Sequence, residues 1–311
     1  MKRILAVLMS LVLVVTLASC SNGDKQGEDK GNDKEAKKKT AKKGEMKVGE
    51  MMQEDKEHVW FYLDDMKTDS LDKDSVISKF IVTKNGKMTI YKAKEAPMQS
   101  LDKLLKMDKE ELIKELKNQD EFFFDMKIAS EENLVKKDIQ NAKDLVNMGY
   151  ENYIKKGKSH GGKDFALTQK ELESVEPEES LERLKKYQSQ LEGAEYKEPK
   201  EQDVDLQTIG SGELQLTTDR NYPLPELERG NIEDKLTDGT EVTTFNNKVN
   251  PKEVAGKRLA GLNNYSEDSI TDEGEEPYLL TTVDDDIEKV VLDKGDDPAI
   301  KANQQSKHKE E

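Results

Sequence analysis

The stretch "SVISKFIVTKNGKMTIYKA", residues 75–93, is the strongest fold signal in this sequence. Apolar residues alternate with polar ones on both sides of Asn85-Gly86, namely Val76, Phe80, Val82, Met88 and Ile90. An Asn-Gly pair between alternating apolar residues is typical of a β-hairpin with a type I′ turn. The apolar run Val59–Leu63 precedes this hairpin. We therefore predict a three-stranded antiparallel sheet.

Helical signals follow this sheet. Asp108 and Glu111 form a capping box before an apolar run, which predicts a helix start. The stretch "EFFFDMKIA", residues 121–129, alternates in the manner of a fourth strand. We expect Ser130 to cap a second, long helix that ends near Gly157, because apolar residues recur at helical spacing between them.

The second half of the chain changes character. The Gly-rich stretch at 156–164 predicts a break, and Pro177 and Gly193 are placed to begin and end a further helix. From Val204 onward the apolar period is two, which favours strands. Residues 278–292 have the pattern of a hairpin with its turn at Asp284-Asp285-Asp286.

These patterns predict an α+β fold, in which a small antiparallel sheet with helices is followed by a β-rich second domain. The expected divisions are a signal peptide at 1–19, a disordered Lys-rich tether at 20–49, an α+β domain at 50–158, a helical connector at 159–200, a β-rich domain at 201–300 and a polar tail at 301–311.

The first nineteen residues have the layout of a secretory signal peptide. Lys2 and Arg3 precede a fourteen-residue apolar run at 4–17, and small residues follow it. A membrane-spanning helix needs about 20 apolar residues, so this run is too short to be one. We expect it to be removed on export.

Cys20 is the only cysteine among 311 residues. An unpaired thiol in an exported chain needs an explanation, because it cannot form an internal disulfide. The residues Leu17-Ala18-Ser19-Cys20 resemble the lipobox of bacterial lipoproteins. The resemblance implies cleavage between Ser19 and Cys20 and a lipid on the sulfur of Cys20. Two acyl chains suffice for stable attachment, so we expect the chain on the outer face of the cell membrane, with membrane lipid as a partner.

Charge divides the tether from the body. The chain carries a net charge of −16, of which residues 21–48 contribute +3 and the body about −21. The tether lacks the apolar residues that would offset the entropy of ordering, so we predict disorder there. An acidic body without a basic face excludes nucleic acid as a partner.

The sequence is poor in catalytic groups. None of the three histidines forms a pair at zinc-ligand spacing, and no acidic cluster matches the EF-hand pattern. We therefore predict no catalytic residues, no metal site, no cofactor and no enzymatic activity. Trp60 and Tyr62 share one face of a predicted strand and are a possible binding platform for a sugar or peptide. The alternative is that they pack in the core against the long helix.

The Lys-rich chain, the short tether and strands such as "HVWFYLDD" are similar to those of surface lipoproteins of Gram-positive bacteria. We predict a membrane-anchored extracytoplasmic module that binds a protein or a cell-wall polymer. The alternative is a lipid-anchored hydrolase or a solute-binding component of a transport system.

Overall fold

The computed structural model describes residues 43–63, 71, 73–93, 100–148, 177–210, 212–222, 240–264 and 277–301. These residues lie in one compact unit. Among them the chain forms three sheets, and helices cover one face of the largest sheet. The fold is therefore α+β, as the sequence predicts.

The largest sheet has seven strands, and every described pair of neighbours in it is antiparallel. In chain order these strands are β2 (His58–Leu63), β3 (Lys79–Lys84), β4 (Lys87–Lys92), β5 (Gln202–Asp203), β9 (Asn247–Val254), β10 (Lys257–Asn263) and β11 (Tyr278–Thr282). Their spatial order is β5-β4-β3-β2-β11-β10-β9.

The predicted hairpin forms β3 and β4, which lie between the central strand β2 and the edge strand β5. Lys84 pairs with Lys87, and Asn85 and Gly86 between them have φ angles of 52° and 72°. Positive φ at both central positions is what a type I′ turn requires. The hairpin and its pairing with β2 are confirmed.

The seven-stranded sheet joins the two halves of the chain. Leu63 at the end of β2 lies opposite Tyr278 at the start of β11. The predicted separation into domains at 50–158 and 201–300 is therefore wrong, because the late strands complete the early sheet. The predicted 278–292 hairpin is also wrong. The strand β12 (Lys289–Val290) instead pairs in parallel with β1 (Glu45–Met46).

A three-stranded antiparallel sheet covers one face of the larger sheet. Its strands are β6 (Asp205–Ile209), β7 (Glu213–Thr218) and β8 (Glu241–Phe245). The two sheets share a buried apolar cluster that includes Trp60, Ile81, Leu216, Phe245 and Leu262. One residue separates β8 from β9, so the chain crosses from one sheet to the other at Asn246.

Helices cover the opposite face of the seven-stranded sheet. The helix α2 (Leu101–Lys106) and the first turns of α3 (Lys109–Met148) pack there through Leu101, Leu104, Leu105 and Leu116. At 1.5 Å per residue the forty residues of α3 span about 60 Å, and its later turns pack against α4 (Pro177–Glu192). Gly193 follows α4, so both predicted ends of this helix are confirmed.

The start of α3 confirms the predicted capping box. The Glu111 N–H donates to Asp108 Oδ1 at 2.9 Å, and the Asp108 N–H donates to Glu111 Oε2 at 3.3 Å. The predicted strand at 121–129 is wrong, since these residues lie in the middle of α3, and the helix does not start at Ser130. The alternation that suggested a strand comes from three adjacent phenylalanines. In a helix, three consecutive residues point in three different directions, so such a run does not distinguish a strand from a helix. The expected helix end at Gly157 and the break at 156–164 lie outside the described residues.

The body begins earlier than the sequence predicts. Met46 in β1 and both Val48 and Met52 of α1 (Val48–Met52) are buried in the core between the two sheets. The predicted tether boundary at residue 49 is therefore wrong. At the other end, Ile300 is also fully buried.

Candidate functional site

The predicted platform residues Trp60 and Tyr62 are buried in the core. Trp60 is 0% exposed and its Nε1–H donates to Thr83 Oγ1 at 2.8 Å. The Tyr62 hydroxyl lies 3.0 Å from Thr243 Oγ1 of the smaller sheet. The platform interpretation is wrong because both faces of β2 are covered. The alternative, core packing, is correct, and among the described residues these side chains contact the second sheet.

Ser19 and Cys20, the predicted cleavage and lipidation residues, lie outside the described residues. Their roles remain predictions that rest on the sequence.

The described surface contains a cleft of about 440 Å³ beside β5. One wall is the extended segment 197–202, which follows α4, and the other is the segment 219–222, which follows β7. The Gln202 amide bridges the walls by donating to the Asp219 carbonyl at 2.6 Å. The rim of the cleft carries exposed charged side chains of both signs, namely Lys197, Glu198, Lys200, Glu201 and Asp219.

A buried carboxylate lies beneath this cleft. Asp120, in the first third of α3, is 0% exposed. Its Oδ1 accepts from the Tyr222 hydroxyl at 2.7 Å and from the Lys92 N–H of β4 at 2.8 Å. Its Oδ2 accepts from the Tyr196 hydroxyl at 2.8 Å. We call Asp120, Tyr196, Arg220 and Tyr222 the Asp120 network.

Arg220 connects this network to both walls. Its Nε and Nη2 donate to the two carboxylate oxygens of Asp120, a bidentate pair. Nη2 also donates to the Lys197 carbonyl at 3.2 Å, across the base of the cleft. Nη1 donates to the Asn221 carbonyl at 3.0 Å. One buried guanidinium therefore fixes the helix and both walls relative to each other.

The surroundings of Arg220, Tyr196 and Tyr222 favour the protonated form of each of these side chains. Burial lowers the pKa of Arg220, but its hydrogen bond to Asp120 and that carboxylate's charge outweigh burial and raise the pKa overall. Burial, together with the hydrogen bond and charge of Asp120, raises the pKa of both Tyr196 and Tyr222 well above the ordinary value. Both hydroxyls therefore remain donors at neutral pH. The arrangement is suited to holding structure and not to transferring protons.

Aromatic rings pack against the network. The Tyr222 ring stacks on Phe123, with centroids 5.7 Å apart, and the Arg220 guanidinium lies 4.0 Å from the Tyr222 ring centroid. Phe124 contacts the rings of Tyr196 and Tyr222, each at 5.8 Å. The phenylalanine run that resembles a strand in the sequence is thus the helical wall behind the cleft.

The sequence analysis missed the Asp120 network. One signal for it exists, because Leu116, Asp120 and Phe124 recur four residues apart and so lie on one face of a helix. An acid within an apolar stripe is a candidate buried charge. The strand interpretation of 121–129 concealed this spacing.

An ion pair between a buried lysine and a partly exposed glutamate joins the two sheets. Lys79 of β3 is 1% exposed, contacts Glu241 of β8, and has its Nζ 3.8 Å from the Tyr62 ring centroid. Burial raises the pKa of Glu241, but the charges of Lys79 and Lys92 outweigh burial and lower it overall. Glu241 lies opposite Thr218, the residue that precedes the cleft segment 219–222.

Within the described ranges, no group of three or more His, Cys, Asp or Glu side chains is placed to hold a metal ion. A search of the same ranges finds no helix with the length and apolar character that crossing a bilayer requires. Comparisons with protein-family models, with curated proteins and with solved structures found no match.

Proposed function

We propose that this chain is a lipid-anchored extracytoplasmic binding module, held at the membrane by Cys20, that binds its partner in the cleft between segments 197–202 and 219–222. The anchor half of the proposal rests on the signal peptide and on the lipobox-like residues 17–20. The binding half rests on the cleft.

The observation that carries the binding half is the convergence of the Asp120 network on the two cleft walls. A buried ion pair contributes little net stability compared with apolar packing, so its presence calls for another reason. Here it fixes two segments outside the regular strands in one geometry. A pre-organised site loses less entropy when a ligand binds, which raises affinity.

The rim indicates the chemistry of the ligand. The side chains of Arg220 and Tyr222 are occupied within the network, so the charged groups that a ligand can reach are the exposed ones on the rim. Lys197 and Lys200 alternate with Glu198 and Glu201 along one extended wall. This pattern suits a polar ligand that carries charges of both signs, such as a peptide segment, and disfavours a strongly anionic polymer.

Thermal-shift measurements with a panel of mixed-charge peptides, cell-wall fragments and cations test this proposal. We expect one mixed-charge ligand to raise Tm by several degrees, because a ligand that binds only the folded state stabilises it. The Lys197→Glu/Lys200→Glu variant is expected to lose this shift.

Lys257→Glu is the matched control, since Lys257 is exposed and lies in β10, towards the other edge of the seven-stranded sheet. It should keep the wild-type shift. A shift that survives the double charge reversal would place the ligand elsewhere. If no peptide, cell-wall fragment or cation in the panel raises Tm, the proposal that the cleft binds a ligand of these classes is refuted.

A further inference from the structure

The two ends of the described chain are fastened to each other. Glu45 and Met46 of β1 pair in parallel with Lys289 and Val290 of β12. The Val291 N–H donates to the Met46 carbonyl at 2.8 Å, which extends the pairing. We call residues 44–52 together with 288–300 the latch. Its first segment is the point at which the predicted tether joins the body.

Charged side chains form the centre of the latch. Lys47 Nζ lies 2.7 Å from Asp297 Oδ2 and 3.5 Å from Glu50 Oε1. Asp297 Oδ2 also accepts from the Lys294 N–H at 2.8 Å. The Gly49 N–H of α1 donates to Asp293 Oδ2 at 2.9 Å. The contact from Lys294 lies within the second segment of the latch. All the other contacts involve the first segment, residues 44–52.

Asp293 is in an unfavourable place for a negative charge. It is 1% exposed, and its Oδ1 has no hydrogen-bond partner among the described residues. A Cβ on residue 49 would lie 2.7 Å from that oxygen, so Gly49 is what allows the close approach. The charged groups that face Asp293 are Asp297 on its own segment and Lys47 and Glu50 on the other. Lys47 is the one cation among them and is already bound to Asp297.

We propose that the latch is controlled by a proton on Asp293: the protonated carboxyl holds segment 44–52 on the body, and ionisation favours its release. The geometry carries this inference, since burying a carboxyl oxygen without a donor, beside two other acids, costs far more free energy when the group is charged than when it is neutral. Only the consequence for an anchored body rests on the proposed function. There, release would lengthen the connection between anchor and body as the external pH rises.

The direction of the effect follows from linkage. Burial raises the pKa of Asp293 to about 6, helped by the charges of Asp297 and Glu50 and opposed by the Gly49 N–H and by Lys47. In the released segment we expect Asp293 to titrate near its ordinary value of 3.8. The closed latch therefore binds the proton more tightly. Its stabilisation is complete below about pH 4 and is lost as the pH rises through about 6.

The size of the effect is roughly a hundredfold in the closed-to-released ratio between these pH values. Asp297 acts in a separate range. Its hydrogen bond from Lys47 outweighs burial and lowers its pKa, so its contribution is present above its ordinary value and is lost only at more acidic pH. Lys47 has a raised pKa and stays charged throughout.

Amide measurements on the isotope-labelled full chain test the latch directly. The Gly49 amide donates to Asp293, so its NMR chemical shift should titrate with a midpoint near pH 6. The hydrogen-exchange protection factors of the Glu288 and Val291 amides, which donate to the first segment, should fall roughly a hundredfold between pH 4 and pH 7. Amides of β3 serve as the reference.

Asp293→Asn removes the titrating group, so protection of the latch should then be constant between pH 4 and pH 7. Asp285→Asn, an exposed carboxylate just before the latch, is the matched control and should keep the wild-type pH dependence. The inference is overturned by a Gly49 midpoint below pH 4.5, or by latch protection in the wild-type chain that does not change with pH. The wild-type titration decides the question even if Asp293→Asn fails to fold.

Discussion

Replacing Asp120 by Asn tests whether the Asp120 network holds the cleft walls. The substitution keeps the side-chain shape but leaves the buried Arg220 guanidinium without its counter-charge. Breaking a buried ion pair from one side costs about 3–5 kcal/mol. The free energy of unfolding of a natural domain is about 5–15 kcal/mol, so a large fraction would be lost. For a chain of this size Tm should fall by roughly 10 °C.

Equilibrium unfolding in urea, followed by fluorescence, measures this loss. Trp60 is the sole tryptophan and is buried between the two sheets, so its emission reports on the core. The control is Lys117→Met on the same helix, which removes an exposed ion pair with Glu198. An exposed pair contributes about 0–1 kcal/mol, so little change is expected.

The double variant Asp120→Asn/Arg220→Met decides the mechanism. With the buried cation also removed, the loss should be smaller than the sum of the single losses by about 2 kcal/mol, since residues that share a network couple. Additivity within about 0.5 kcal/mol would show that the two side chains act independently, and would refute the reasoning.

Two further substitutions test the sheets. Gly261→Ala places a Cβ 1.9 Å from the Leu279 carbonyl oxygen of the neighbouring strand, so we expect the free energy of urea unfolding to fall by about 3 kcal/mol or more. The control is Gly210→Ala, where no atom lies within 4 Å of the added Cβ and the expected loss is about 1 kcal/mol. Glu241→Gln removes the carboxylate that contacts Lys79 and should lower the free energy of unfolding. Because the pKa of Glu241 is lowered, this loss should be present at pH 7 and should vanish as the pH falls below 4.5, the ordinary pKa of a glutamate. We expect only about 1 kcal/mol, since Glu241 is 38% exposed and solvent screens the pair, and an unchanged loss at pH 3 would contradict the assignment.

Local signals in the sequence predict the local structure well. The Asn85-Gly86 turn, the Asp108–Glu111 capping box and the limits of α4 each depend on a few adjacent residues, and each is confirmed. Turn and cap chemistry acts over three or four residues, so a single sequence contains all of it.

The long-range pairings could not be predicted in this way. β2 pairs with β11 across more than two hundred residues, and β1 pairs with β12 across a longer separation still. No local pattern distinguishes a strand that closes its own hairpin from one that completes a distant sheet. Both the domain division and the 278–292 hairpin were wrong for this reason.

The cleft was missed for a related reason. Its Arg220 and Asp120 are a hundred residues apart, and each looks like an ordinary solvated charge in a chain with 37% charged residues. Only the helical face shared by Leu116, Asp120 and Phe124 marks the acid as buried, and that face is visible only when the phenylalanine run is assigned to a helix.

Metabolic labelling with a fatty-acid analogue tests the central claim, that the chain is anchored by a lipid on Cys20. We expect label on the wild-type chain in the membrane fraction and none on Cys20→Ala, which should accumulate as uncleaved precursor or be released into the medium. Ser21→Ala, which alters the adjacent residue, should label as the wild type does. Label that persists on Cys20→Ala, or a wild-type chain that takes up no label, would contradict the account.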